Sequence, residues 1–104
     1  MFESKIRSSQ TDTLMKAVLA LDSEEDAYRF FEDLCTIPEI RSISQRLEVA
    51  LLLKKGETYQ KIAEETGASS ATISRVKRSL SYGVGGYDRV IQNMNFGHAG
   101  KNED

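Results

Sequence analysis

An all-α fold is predicted by three features of this 104-residue chain. Apolar residues recur at helical spacing in several successive runs, and none alternates in the manner of a half-buried strand. A single proline, Pro38, leaves those runs uninterrupted. Hydroxyl or acidic residues that cap helices stand before the runs, and glycines stand after two of them. The length fits one domain, 1–104, with a small core.

Residues 1–10 are mostly polar, lack a period and read as a frayed start. A first helix is expected from Asp12 or Thr13, with Leu14, Met15, Val18, Leu19 and Leu21 on a broad apolar face. A second follows Asp22 or Ser23. Its acidic first turn, Glu24, Glu25 and Asp26, complements the helix dipole, and Ala27, Phe30, Phe31 and Leu34 supply bulk. Thr36-x-x-Glu39, with Pro38 in the first turn, is a capping box that opens a third helix. There Ile40, Ile43, Leu47, Ala50 and Leu51 form a stripe that Leu52 and Leu53 widen, and Gly56 ends it. Together, residues of about 12–56 form the N-terminal helices. Stripes this wide suggest burial on two sides, partly against a second copy, although a single thick monomer core would also use them. A short last helix is expected within 84–95, and a disordered tail over 96–104.

Between these lies a helix-turn-helix over 58–80. Thr58 caps a short helix that turns Ile62 inward and presents small Ala63 for a close crossing. Gly67 supplies the turn, where a positive φ is needed. Ser69 and Ser70 can each cap the next helix. In that helix Ile73, Val76 and Leu80 share one side. Ala71, Arg75 and Arg78 share the other, with Ser74 beside them. A DNA major groove accepts such a face. Small residues permit approach, hydroxyls reach base edges, and Arg pairs bidentately with guanine. Ser69, Ser70, Ala71, Ser74, Arg75 and Arg78 are the expected groove residues. Thr58, Tyr59, Gln60, Lys61, Thr72 and Lys77 are the expected phosphate contacts. An ordinary helical hairpin with a solvated second helix, or one that docks a protein, shows a similar pattern.

Charge is unevenly placed. Residues 1–40 carry four Lys/Arg against nine Asp/Glu, a balance of −5, whereas 41–80 carry eight against four, a balance of +4. The basic excess coincides with the helix-turn-helix, where phosphate contacts belong. Nothing points to catalysis. The lone His98 lies in the expected tail, and with Cys35 far away in sequence there is no metal-ligand spacing. Cys35, at an apolar helix end, is expected to be a buried thiol. No apolar run approaches the ~20 residues that span a bilayer. With no signal-like start and one cysteine, a cytoplasmic protein without a membrane partner is expected.

Residues 36–83 resemble the Trp-repressor superfamily. Thr66-Gly-Ala-Ser-Ser-Ala-Thr-Ile-Ser-Arg75 is similar to its turn and recognition helix. A longer match, from about Leu14 to Met94, resembles a narrower group, the Trp-repressor-like proteins of the YerC/YecD type. Cys35 to Ile40, Ser44 to Ala50 and Ala71 to Arg78 carry it. The resemblance implies an interwoven homodimer on double-stranded operator DNA, with the second helix in the major groove. In the tryptophan-dependent repressor two arginines contact the bound amino acid. Their positions match Arg46 and Arg75 here, and Thr36 and Ser79 also match. Val76 stands where that repressor has a glycine beside the indole. The added isopropyl group argues against tryptophan, so another small effector, or none, stays open. Arg46 also has a plainer reading as an ion-pair partner, which leaves Arg75 for DNA. The prediction is therefore a sequence-specific DNA-binding transcriptional regulator, a repressor by resemblance, and not an enzyme. The alternative is a protein-interaction module that docks through the helix-turn-helix or the acidic N-terminal helices.

Overall fold

The computed structural model describes residues 2–103, with side-chain environments over 2–95. It has six helices: α1 (Ser9–Leu19), α2 (Glu24–Leu34), α3 (Ile37–Lys54), α4 (Tyr59–Thr66), α5 (Ser70–Tyr82) and α6 (Gly86–Glu103). No strand occurs among the described residues. The backbone falls into two compact units, Met1–Ile40 and Arg41–Asp104. The helical backbone of α6 extends past residue 95, where the last helix was expected to end. His98 and the expected tail side chains lie outside the described set.

In the first unit, α1 begins three residues earlier than its periodicity suggests. Ser8 is the cap, and its hydroxyl accepts the Thr11 N–H at 3.0 Å while the Ser8 N–H donates to Thr11 Oγ1 at 2.7 Å. Threonine here fills the role usually held by Glu or Gln, which hid the box from pattern reading. Ser23, not Asp22, caps α2, accepting from the Asp26 N–H at 3.1 Å. The Phe30 and Phe31 rings meet edge to face, 5.4 Å between centroids. Cys35 is half-buried rather than buried, because it caps α2 in extended conformation. Neither α1 nor α2 contains a buried residue.

At the start of α3 the capping box forms as expected. The Thr36 N–H donates to Glu39 Oε1 at 2.8 Å, and the Glu39 N–H donates to Thr36 Oγ1 at 3.2 Å. The Thr36 backbone N–H, and then its hydroxyl, hold the Glu39 carboxyl below its ordinary range.

In the second unit the core comprises Val49, Ala50, Leu52, Ile62, Ala68, Ile73, Val76 and Ile91, with Leu51, Leu53, Ala63, Leu80 and Tyr87 around it. The α3 stripe sits differently than expected. Ile43 remains half-exposed, and Val49, outside the expected set, is wholly buried. The helix closes with a Schellman motif. The Glu57 N–H donates to the Leu52 carbonyl at 3.1 Å and the Gly56 N–H to the Leu53 carbonyl at 3.0 Å, with Gly56 at φ 85°. Lys54 Nζ then reaches Asp88 Oδ1 of α6 at 2.9 Å. That exposed pair contributes at most about 1 kcal/mol. Burying one isoleucine contributes about 2 kcal/mol, so packing, not charge, holds these helices together.

Two outcomes follow. Gly67 has φ 74° and nothing within 4 Å of an added Cβ, so a substitution there meets only backbone strain. Gly67→Ala should lower unfolding free energy in urea by about 1–2 kcal/mol, and Gly67→Asn by less. Glu39 has a folded pKa below its unfolded one, near 4.3 in free chains. Its contribution is complete above that value and disappears as the pH falls through the folded pKa. The urea-midpoint gap between the natural protein and Glu39→Gln should be flat from pH 7 to 5 and close at lower pH.

Candidate nucleic-acid interface

The second unit places two helices around a tight turn. Thr58 caps α4, its hydroxyl accepting the Lys61 N–H at 3.2 Å. The helix ends at Gly67, whose N–H returns to the Ala63 carbonyl at 2.8 Å. Thr66 ties the turn. Its hydroxyl donates to the Ile62 carbonyl at 2.7 Å and accepts the Ala68 N–H at 3.1 Å. From α3, Gln45 Nε2 donates to the Thr66 carbonyl at 3.1 Å. Buried Ala68 follows, and Ser69 then caps α5 by accepting the Thr72 N–H at 3.1 Å. Ser70, an equal candidate by sequence, is the first residue inside the helix.

Ile62, Ile73 and Val76 are at most 1% exposed, so α4 and α5 are anchored by their apolar sides. The opposite side is open. Ser69, Ser70, Ala71, Ser74, Arg75, Lys77 and Arg78 are all exposed, and Thr72 is half-exposed. The α5 sequence, SATISRVKRSLSY, holds three cations and no carboxylate.

The cations differ in availability. Arg75 and Arg78 make no ion pair among the described residues. Lys77 Nζ lies 5.8 Å from the centroid of the Tyr59 ring, a cation–π contact between α5 and α4. Lys61 is shared by Glu57 at 3.7 Å and Glu65 at 4.0 Å, which an incoming phosphate would have to displace. Gln60 leans on Glu64 at 3.5 Å, and Thr58 is exposed. The expected contacts thus separate into open arginines on α5 and, on α4, Lys61 and Gln60 already engaged by nearby glutamates.

The four effector candidates separate too. A cavity of about 620 Å³ in the second unit is lined by Ile43, Arg46, Leu47, Ser79, Gly83, Val84, Gly86, Tyr87 and Val90. It brings Arg46 and Ser79 together. Arg75 is not among its lining residues, and Thr36 belongs to the first unit, engaged in its capping box. Arg46 makes no ion pair among the described residues. Its Nη2 donates to Ser42 Oγ at 3.1 Å and its Nε to the Ser42 carbonyl at 3.4 Å, one turn back on α3. Val76 is in the core and does not line the cavity.

Pattern reading missed Gln45 and Tyr59 as neighbours of the turn and of Lys77. A glutamine on a helix face carries no mark of a carbonyl 21 residues later. The Tyr59–Lys77 pair exists only once the two helices cross.

An all-helical chain with a capped helix-turn-helix and a cationic, carboxylate-free outer face defines the class as helix-turn-helix proteins. Within that class, the pattern of the Trp repressor protein family matches residues 9–95, and the chain belongs to that family. It is similar to the uncharacterized protein YerC of Bacillus subtilis (strain 168), 53% identical over 90 residues that cover 86% of each chain. Two solved structures resemble it. One is a candidate Trp repressor from Staphylococcus aureus, with TM-score 0.83, 52% identity, and coverage of 88% of this chain and 91% of that one. The other is a TrpR-like protein from Eubacterium eligens ATCC 27750, with TM-score 0.84, 54% identity, and coverage of 88% and 94%. The family is one of regulators rather than enzymes. Among the described residues no helix is long and apolar enough to cross a membrane.

Proposed function

We propose that this protein is a sequence-specific, DNA-binding transcriptional regulator that works as a homodimer. The exposed outer face of α5 carries the reading. It presents Arg75 and Arg78 free of ion pairs among the described residues, beside small Ala71 and Ser74. Such a face fits a major groove, where the arginines read guanine and the small residues allow approach. Ser69, Ser70 and Thr72 stand at the helix start, next to where a phosphate meets free N–H groups. Lys77 and the Thr58–Lys61 turn serve the flanking backbone. Membership of a repressor family supports repression as the sign of regulation.

A second copy is the natural cover for the first unit. Leu19 is 84% exposed, Ile37 69%, Ile6 66% and Phe2 65%, and α1 and α2 bury nothing. Duplicated arginine faces would also double the length of sequence read. The cavity holding Arg46 and Ser79 is where a small effector would act. Its largely aliphatic and aromatic lining suits an apolar group held by one cationic and one hydroxyl contact.

Fluorescence anisotropy with duplexes selected from a random pool tests the DNA reading. If the dimer neutralises six phosphates, log K should fall against log salt with a slope of about −5. Arg75→Ala or Arg78→Ala should weaken selected-duplex binding by about 1–3 kcal/mol. Failure to bind any duplex at low salt, with a protein partner captured after nuclease treatment, would favour the interaction-module reading. Sedimentation tests the assembly. The natural chain should run at twice the monomer mass, and Leu19→Glu should shift it toward the monomer.

A further inference from the structure

Among the described residues, and apart from the Lys54–Asp88 ion pair, one side-chain hydrogen bond joins residues more than five positions apart, that of Gln45 Nε2 to the Thr66 carbonyl. Every other side-chain hydrogen bond spans five positions or fewer, as those of Ser4 with Ile6 and of Thr11 with Ile6 do. The bond is partly buried, so water competes for it only in part. The carbonyl it satisfies is the last of α4, one of the acceptors that a helix end leaves without an intrahelical donor.

That carbonyl is the hub of the turn. The same Thr66 supplies the hydroxyl that receives the Ala68 N–H and bonds back to Ile62. Gly67, next along, sits at φ 74°, and Ser69, two further, caps α5. From a peptide plane fixed by Gln45, the chain takes three residues to reach the first turn of α5. Small rotations at Thr66 therefore pass directly into the pitch of the arginine-bearing helix. Ile73, the fourth residue of α5, and Val76 hold its apolar side in the core, and buried Ala68 ties the turn to the same cluster, so the angle at the N-terminal end of α5 is set jointly by this packing and by the turn.

We infer that Gln45 is a positioning residue for base reading: its amide, donated from α3 to the Thr66 carbonyl, helps set the angle at which α5 offers Arg75 and Ser74 to DNA. This rests on the DNA-binding reading above. Gln45 itself touches no nucleic acid. It governs discrimination between sequences rather than attraction to phosphate, because phosphate attraction tolerates a small tilt and a bidentate base contact does not.

The test uses the full chain and Gln45→Met, which keeps the length and removes the donor, with Thr66→Val as a second lesion of the same turn. Amide hydrogen exchange is read on the DNA-free protein. Anisotropy is read with a selected and a random duplex. Exchange at Gly67, Ala68 and the first turn of α5 should accelerate in Gln45→Met, while that of the α3 core residues Val49 and Ala50 stays unchanged. Affinity for the selected duplex should fall about tenfold, the scale of one base contact. Random-duplex affinity and the salt slope should hold. The two substitutions should be less than additive, since they loosen one turn. Unchanged exchange at the turn would overturn the inference, whatever the DNA data. So would an equal loss on both duplexes, the signature of a protein that is merely less folded. If the natural chain bound no duplex, the DNA-binding reading would fail and the base-reading role of Gln45 with it. The exchange data would then show separately whether Gln45 fixes the turn.

Discussion

Burial of Ile62, Ile73 and Val76 in one cluster with Val49 and Ala50 of α3 is the constraint on which the second unit depends. Each of these side chains is at most 1% exposed. Together they outweigh every cap and ion pair around them, since a buried branched side chain contributes about 2 kcal/mol and a cap about 1 kcal/mol. Because α4 is a short helix of 8 residues, it could not persist in water without that packing. The crossing requires Gly67, and the crossing in turn decides which side of α5 is left outside.

What is left outside is electrostatically sorted. The cations of α5 have no carboxylate on their own helix, whereas Lys61 of α4 lies between two glutamates. A uniform tally of basic residues would weight these equally. The distances do not, because an ammonium already shared with carboxylates gives up those contacts before it gains a phosphate. Lys77 is intermediate, resting against the Tyr59 ring, where a cation keeps its charge and loses part of its freedom.

The first unit obeys a different logic. Its helices are well capped, by Ser8, Ser23 and Thr36, yet α1 and α2 bury no side chain. Caps define where a helix begins and say nothing about what covers its flank. Large apolar residues such as Leu19 and Ile37 exposed to this extent form a face that the unit's own helices do not cover.

Much of this was legible in residues alone. The apolar spacing of Ile73, Val76 and Leu80, the hydroxyl caps at Thr58 and Ser69 and the glycine between them encode the helix-turn-helix, because helix periodicity and positive φ act locally. The family resemblance was legible for the same reason, being carried by those residues. Only the tertiary structure decided the rest. It chose Ser69 over Ser70 as cap, buried Val49 and left Ile43 half-exposed, turned Arg46 back onto Ser42, and gathered Arg46 and Ser79, but not Arg75, about one cavity. It also brought Gln45 to Thr66. These are meetings between residues distant in sequence or choices among equal local candidates, and periodicity cannot rank them. They are settled by how far one helix rotates against the next, and that rotation is set by the packed volume of the core as a whole.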